Sequence, residues 1–186
     1  MLRTLGPSLL QHARARLARG GVLAYPTESC FGLGCHPASA TGLRRILALK
    51  RRPMHKGMIV VGANWAQLAP YVAPLNREQQ ARLADYWPGP VTLLLPASRR
   101  VLPLLRGRHR KLAVRITAHP ETARLCRLLG SALVSTSANL AGQRALKTGR
   151  ACQQTFGHAV SVLPGHIGKR RKPSTIIDFA TGRVLR

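Results

Sequence analysis

Residues 22–34, Val22-Leu23-Ala24-Tyr25-Pro26-Thr27-Glu28-Ser29-Cys30-Phe31-Gly32-Leu33-Gly34, run from an apolar segment straight into hydroxyls, one carboxylate and two glycines. Val22–Tyr25 has the length and composition of a short buried strand that stops at Pro26. The residues after it read as a glycine-rich loop extending through Pro37. Open α/β sheets bind ligands just beyond strand ends, and glycines there let the backbone approach a ligand closely. Thr27 and Ser29 offer hydroxyls and Glu28 a carboxylate. The loop is not a Walker A loop, because GxxxxGK[ST] occurs nowhere in the chain.

The same rhythm continues outward on both sides. Upstream, Ser8 followed by Leu9, Leu10, Ala13 and Leu17 reads as a capped amphipathic helix ending at Gly20-Gly21. Arg3, Arg14, Arg16 and Arg19 with no acid before Glu28 resemble a transit peptide in composition, but the helix of a mature chain is the favoured reading. Downstream, Ser39 is placed to cap a helix with Leu43, Ile46 and Leu47 on its apolar face. Lys50–Lys56 is a basic loop broken by Pro53, and Met58–Val61 a second strand. Asn76 opens a helix toward Tyr86, and Trp87-Pro88-Gly89-Pro90 is a turn. Val91–Leu95 and Leu112–Ile116 are strands joined by a basic connection from Arg99 to Arg110. Pro120 suits a first helical turn, with Leu125, Leu128 and Leu129 facing inward. Leu133-Val134 enters a hydroxyl-rich loop, Ser135–Asn139. Thr148 caps a helix toward Phe156, and a strand at Thr175–Phe179 comes after the run Lys169–Lys172. With no repeat or long linker, the expectation is one α/β domain over residues 1–186.

Charge is the extreme feature of the composition. Thirty Lys and Arg face five Asp and Glu, a formal net charge of +25. Such a field attracts polyanions and phosphorylated ligands. Aromatic residues make up only 4%, too few for stacking platforms along a single strand, so phosphate contact or recognition of folded RNA by shape is expected instead. No apolar run approaches the roughly 18 residues of a membrane span. Cys30, Cys35, Cys126 and Cys152 include no CxxC pair, and reduced, mostly buried thiols of a cytoplasmic protein are expected, with no metal site.

Four further segments carry candidate chemistry. Lys50, Arg51, Arg52 and Lys56 crowd cations into one loop, suited to a triphosphate or to plain solvation. Arg115 lies inside an apolar strand pattern, where a charge is costly unless paired; with no acid beside it in sequence, a ligand carboxylate or phosphate is the expected partner. Ser135, Thr136, Ser137 and Asn139 could bond a ribose, a phosphate or an amino-acid head group, or cap a turn. Ser174 stands between the basic run and a strand. A nucleophile elbow, GxSxG, is absent, and only Glu28 among the acids lies in a candidate loop. A site rich in cations and hydroxyls and poor in acids suits a reaction driven by positioning and by charge stabilisation at phosphate.

The stretches AYPTESCFGLGCHP, LKRRPMHKGMIVV, WPGPVTLLLPA, LAVRITAHP, LVSTSANLAG and PSTIID, in this order from Ala24 to Asp178, resemble the YrdC-like family of threonylcarbamoyl-AMP synthases in its short single-domain bacterial form. The resemblance implies an open twisted mixed sheet with flanking helices around a basic concave cavity. It implies a nucleotidyltransferase that joins threonine, bicarbonate or CO2, and ATP into threonylcarbamoyl-AMP and pyrophosphate, for the threonylcarbamoyl group of adenosine 37 in tRNA. By motif, Lys50 and Arg52 would be the catalytic pair on the ATP phosphates, assisted by Lys56, Ser137, Asn139 and Arg186. Thr27, Arg115, Ser135 and Ser174 would hold threonine. Mg²⁺ would ride on the triphosphate, no organic cofactor is implied, and partner proteins would transfer the group. Lys169, Arg170, Arg171 and Lys172 are the candidate RNA contact. The competing reading is a non-catalytic module for double-stranded or ribosomal RNA.

Overall fold

The computed structural model describes residues 6–186, so Arg3 of the N-terminal basic segment lies outside the described residues. Helix α1 (Pro7–Ala18) begins on Pro7 with Gly6 at the cap position and no capping side chain, so Ser8 lies inside the helix instead of capping it. Proline is at home there, since the first helical N–H has no partner anyway. Ala13 and Leu17 are its buried residues.

Strands β1 (Val22–Pro26) and β2 (Phe31–Gly34) form an antiparallel hairpin in which Tyr25 faces Gly32 and Leu23 faces Gly34. The expected glycine-rich loop therefore contains a strand, β2, at its centre. Its glycines serve close packing and not a turn: a Cβ on Gly34 would stand 2.2 Å from the Val134 carbonyl and 2.7 Å from the Tyr25 ring. The same correction applies to β6 (Leu133–Ser137), where Ser135, Thr136 and Ser137 pair with Ile59, Leu33 and Gly32. Hydroxyls that read as loop residues lie in a strand, Ser135 paired on one edge and Thr136 and Ser137 on the other.

Helix α2 (Ala40–Lys50) is capped as expected, with Ser39 Oγ accepting from the Gly42 amide at 3.1 Å, and it buries Leu43, Ile46 and Leu47. A left-handed residue, Arg51, ends it. Strand β3 (Ile59–Gly62) comes next, then α3 (Trp65–Leu68), which sequence reading missed. Helix α4 (Arg77–Arg82) has the Asn76–Gln79 capping box and passes into a single tight turn at Leu83–Asp85, short of Tyr86. The connection between β4 (Val91–Pro96) and β5 (Lys111–Ile116) contains a short helix, α5 (Pro103–Arg106). In α6 (Pro120–Leu129) the His119 side chain supplies the N-cap, and Leu125 and Cys126 are buried while Leu128 and Leu129 are half-buried. Thr148 caps α7 (Gly149–Phe156) as expected, and it leads to the unanticipated β7 (Val160–Val162) and then to β8 (Thr175–Asp178).

All eight strands of the described residues join one mixed sheet in the order β7-β1-β2-β6-β3-β5-β4-β8. The open mixed sheet with flanking helices is the architecture expected. One face, with Val60, Leu93, Leu112, Val114 and Val134, packs against α2, α5 and α7 in the main core. On the other face Leu23, Tyr25, Val61 and Leu133 pack beneath α1 and α6. Those two helices cover only the β1–β3 side, and the rest of that face carries the site.

Candidate active site

Period-two alternation decides which side chains meet. In β5, Leu112 and Val114 are buried in the core while Lys111, Ala113 and Arg115 point the other way. Pairing extends that second row: Ala113 aligns with Ile59 and Leu94, Ile59 with Ser135, and Leu94 with Asp178. Together with Gly32, Ser137 and Ile176 these residues floor a cavity of about 1030 Å³. Thr27, Arg52, Lys56, Arg115, Ser135, Ser137, Asn139, Ser174 and Arg186 all line it. Of the nominated substrate and ATP residues, Lys50 alone does not.

Lys50 is 3% exposed and sits behind the wall. Its ammonium donates to the Ser137 carbonyl, to the Asn139 carbonyl at 2.8 Å and to Asn139 Oδ1 at 2.9 Å. Those three bonds use its three donors, so none is left for a phosphate. Asn139 is equally committed: Oδ1 also accepts from Ser137 Oγ at 2.6 Å, and Nδ2 donates to the Leu140 and Gln143 carbonyls. Lys50 and Asn139 therefore fix the loop after β6: the Lys50 ammonium, expected on the ATP phosphates, is turned to that loop, while Asn139, expected at the nucleotide, does line the cavity. Burial, and then the charge of Arg52, lower the Lys50 pKa to about 8.

Arg52 reaches the cavity from the loop after α2, holding the Gly57 carbonyl at 2.8 Å while its buried Nε has no partner among the described residues. Burial first and Arg186 second push its pKa down; for Arg186 the causes are burial and then Arg115. Three guanidinium groups thus share one hollow. Arg186 is steadied by Ser174, through Nε to the carbonyl at 3.2 Å and Nη2 to Oγ at 3.3 Å, and Thr92 donates to the same Oγ at 3.0 Å.

Arg115 is not free of acids, as its sequence neighbours suggest. Its Nη2 lies 3.2 Å from Glu28 Oε2, brought over from the β1–β2 turn. Its Nε is buried without a partner among the described residues. Thr27 donates its hydroxyl to the Cys30 carbonyl at 2.7 Å, closing the turn. The segment between β7 and β8 straps over this turn: the Gly168 and Arg170 amides donate to the Thr27 and Glu28 carbonyls at 2.9 and 3.1 Å. The strap also divides the basic run. Arg170 folds back onto the Lys172 carbonyl and Thr175 Oγ1, Arg171 lines the cavity, and Lys169 and Lys172 are exposed.

Arg106, Arg108, Arg110, Arg144 and Lys147, all on connections, line the same cavity and were not singled out in the sequence; only their basic neighbourhood signalled them. Asp178 lines it too, but Lys111 Nζ holds Oδ1 at 2.7 Å, and that bond chiefly lowers the Asp178 pKa. Both acids nearest the cavity are thus committed, and among the described residues no group of three His, Cys, Asp or Glu is placed to hold a metal.

Residues 15–186 match the Sua5, YciO and YrdC family, described as "Telomere recombination". The chain belongs to the Sua5–YciO–YrdC family. A protein of Chromobacterium violaceum named threonylcarbamoyl-AMP synthase is 63% identical over 99% of this chain and 95% of its own length. One of Laribacter hongkongensis with the same name is 62% identical over the whole of both chains. The structure of P. abyssi Sua5 complexed with L-threonine superimposes with a TM-score of 0.88 at 26% identity, covering 99% of this chain and 55% of that one. Each of the six Sua5–YciO–YrdC motif stretches contributes residues to this cavity or its immediate wall.

Proposed function

We propose that this chain is a nucleotidyltransferase that makes threonylcarbamoyl-AMP and pyrophosphate from threonine, bicarbonate or CO2, and ATP. The observation that carries the reading is the convergence of Arg52, Arg115 and Ser137, far apart in sequence, on one cavity in a chain whose full-length relatives bear that name. The amine of threonine takes up CO2 to give an N-carboxylate. A carboxylate oxygen then attacks the α-phosphorus of ATP, and the bond to pyrophosphate breaks. Threonine supplies the nucleophile, so the protein needs no carboxylate dyad. Its task is to align two anions and stabilise charge at phosphate.

In this reading Arg115, Thr27 and Ser135 hold threonine, with Ser174 beside them. Arg52, Lys56, Arg186 and Ser137 face the nucleotide. Lys50 and Asn139 act on the nucleotide through the loop they fix. Mg²⁺ enters with ATP as part of the substrate, since both acids near the cavity are already paired. The rim of Arg106, Arg108, Arg110, Arg144, Lys147 and Arg171 suits the backbone of a structured RNA, and with exposed Lys169 and Lys172 it gives tRNA a place beside the product. Separate transfer proteins would move the group onto adenosine 37 in the cytoplasm. No described helix is long and apolar enough to cross a membrane.

The test is mass spectrometry after incubating the protein with ATP, threonine and ¹³C-bicarbonate. Labelled threonylcarbamoyl-AMP is expected, and its formation should require all three substrates. RNA binding without any such product would favour the non-catalytic reading.

A further inference from the structure

We propose that Glu28 is a positioning residue that reserves Arg115 for the singly charged carboxylate of the amino acid in a cavity otherwise lined by cations. The inference deepens the synthase reading and rests on it. Glu28 does not line the cavity; it stands behind Arg115, with Oε2 3.2 Å from Nη2. Its other oxygen, Oε1, accepts from Thr117 Oγ1 at 2.6 Å, and that hydroxyl oxygen accepts in turn from the His119 amide at 3.1 Å. Thr117 is buried, and its own amide donates to the Gly62 carbonyl at 3.1 Å. The backbone is pinned as well: the Glu28 carbonyl accepts from Arg170, and a Cβ on Gly168 would stand 2.7 Å from that carbonyl oxygen. Side chain and main chain are therefore both fixed, and Glu28 can hold Arg115 in one place.

The electrostatic consequence comes from the neighbours. Arg115 is 5% exposed and shares the cavity with Arg52 and Arg186. Without a counter-charge all three would attract a triphosphate, and nothing would reserve one end for the amino acid. Glu28 cancels about one unit of that charge at the Arg115 end. Arg115 then holds an anion through directed N–H bonds more than through net charge, and its Nε has no other partner among the described residues. A monoanionic carboxylate is matched by such a group; a polyphosphate is held more strongly by the uncompensated Arg52 and Arg186.

Steady-state kinetics of Glu28→Gln and Thr117→Val, with pyrophosphate as inhibitor, test this. In the unaltered protein, pyrophosphate should compete with ATP and not with threonine. In Glu28→Gln the KM for threonine should rise roughly ten-fold or more while the KM for ATP moves less than about two-fold, and pyrophosphate should now compete with threonine as well. Thr117→Val keeps the charge but frees one carboxylate oxygen, so a smaller rise in the threonine KM is expected without the new competition. A purely structural role would lower the melting temperature and kcat and leave the inhibition pattern unchanged, which would overturn the proposal. If Glu28→Gln does not fold, an unaltered threonine KM in folded Thr117→Val overturns it too. Failure of the unaltered protein to form product would instead sink the synthase reading.

Discussion

The cations on the outside of the molecule and those in the cavity have opposite fates. With five acids for thirty Lys and Arg, most cations cannot find a carboxylate, and only two ion pairs form among the described residues. On the outer surface, backbone carbonyls take the place of acids. Arg14 donates to Leu128 O near the end of α6, Arg16 to His158 O and Ala159 O at 3.0 and 2.8 Å, and Arg45 to Arg19 O and Gly20 O at 3.1 and 2.7 Å beyond the end of α1. Helix C-termini carry orphan carbonyls and partial negative charge, so these bonds stabilise the fold. In the cavity, Arg52, Arg115 and Arg186 crowd together; Arg52 and Arg115 keep a buried Nε without a partner among the described residues, as the outer Arg16 does, but only the inner three share one hollow. The outer cations hold the protein together; of the inner ones Arg115 alone has a carboxylate, and Arg52 and Arg186 are set against each other until an anion arrives.

Exchanging Arg52 for Ala should give the largest effect that separates the two groups. We expect kcat/KM for ATP to fall on the order of a hundred-fold or more, because a preorganised donor at the phosphate is lost. Melting temperature should hold steady or rise, since repulsion with Arg186 is relieved and a buried unpartnered N–H is removed. Thermal melts beside initial rates check both halves. A loss of several degrees would place Arg52 with the outer cations and break the contrast.

Much of this division was legible before the fold was known. The strand at Val22–Tyr25, the Ser39, Asn76 and Thr148 caps, and Arg52, Arg115 and Ser137 as a group could be read from local chemistry. What could not be read is which groups had already spent their bonds. Lys50 and Arg52 look alike two residues apart, but α2 ends between them, so one faces inward to the β6 loop and the other reaches the cavity. Glu28 lies 87 positions before Arg115, and only the order of strands brings them together. Gly32 and Gly34 advertise a loop because sequence cannot tell a residue that must turn from one that must be approached closely.

Lys50 belongs to neither group, and pH exposes it. Its pKa of about 8 arises chiefly from burial, so the charged form costs the fold stability below pH 8, and that cost is relieved between pH 8 and the ordinary lysine value near 10.5. Function runs the other way: losing the proton removes one of the three bonds that fix Ser137 and Asn139. We expect kcat/KM to fall as pH rises through about 8, with no accompanying loss of thermal stability from this group. Lys50→Arg, which does not titrate in this range, should lack that limb whatever its absolute rate. A flat profile to pH 9.5 in the unaltered protein would count Lys50 as structural only.

The smallest expected effect comes from the outside. Arg45→Ala removes the two bonds to the Arg19 and Gly20 carbonyls, beyond the last turn of α1. Each such bond contributes about 1 kcal/mol net, but the exposed Arg19 carbonyl can turn to water, and deleting one positive charge eases the repulsion of a +25 chain. The net loss should be about 1 kcal/mol, or roughly 2–4 °C in melting temperature for a chain of this size, with KM values for ATP and threonine unchanged. The loss should shrink as salt is lowered, because the relieved repulsion is then larger. An outer arginine whose removal instead raised the melting temperature and changed the ATP KM would mean that its carbonyl bonds contribute little and that the field of the whole chain governs the cavity.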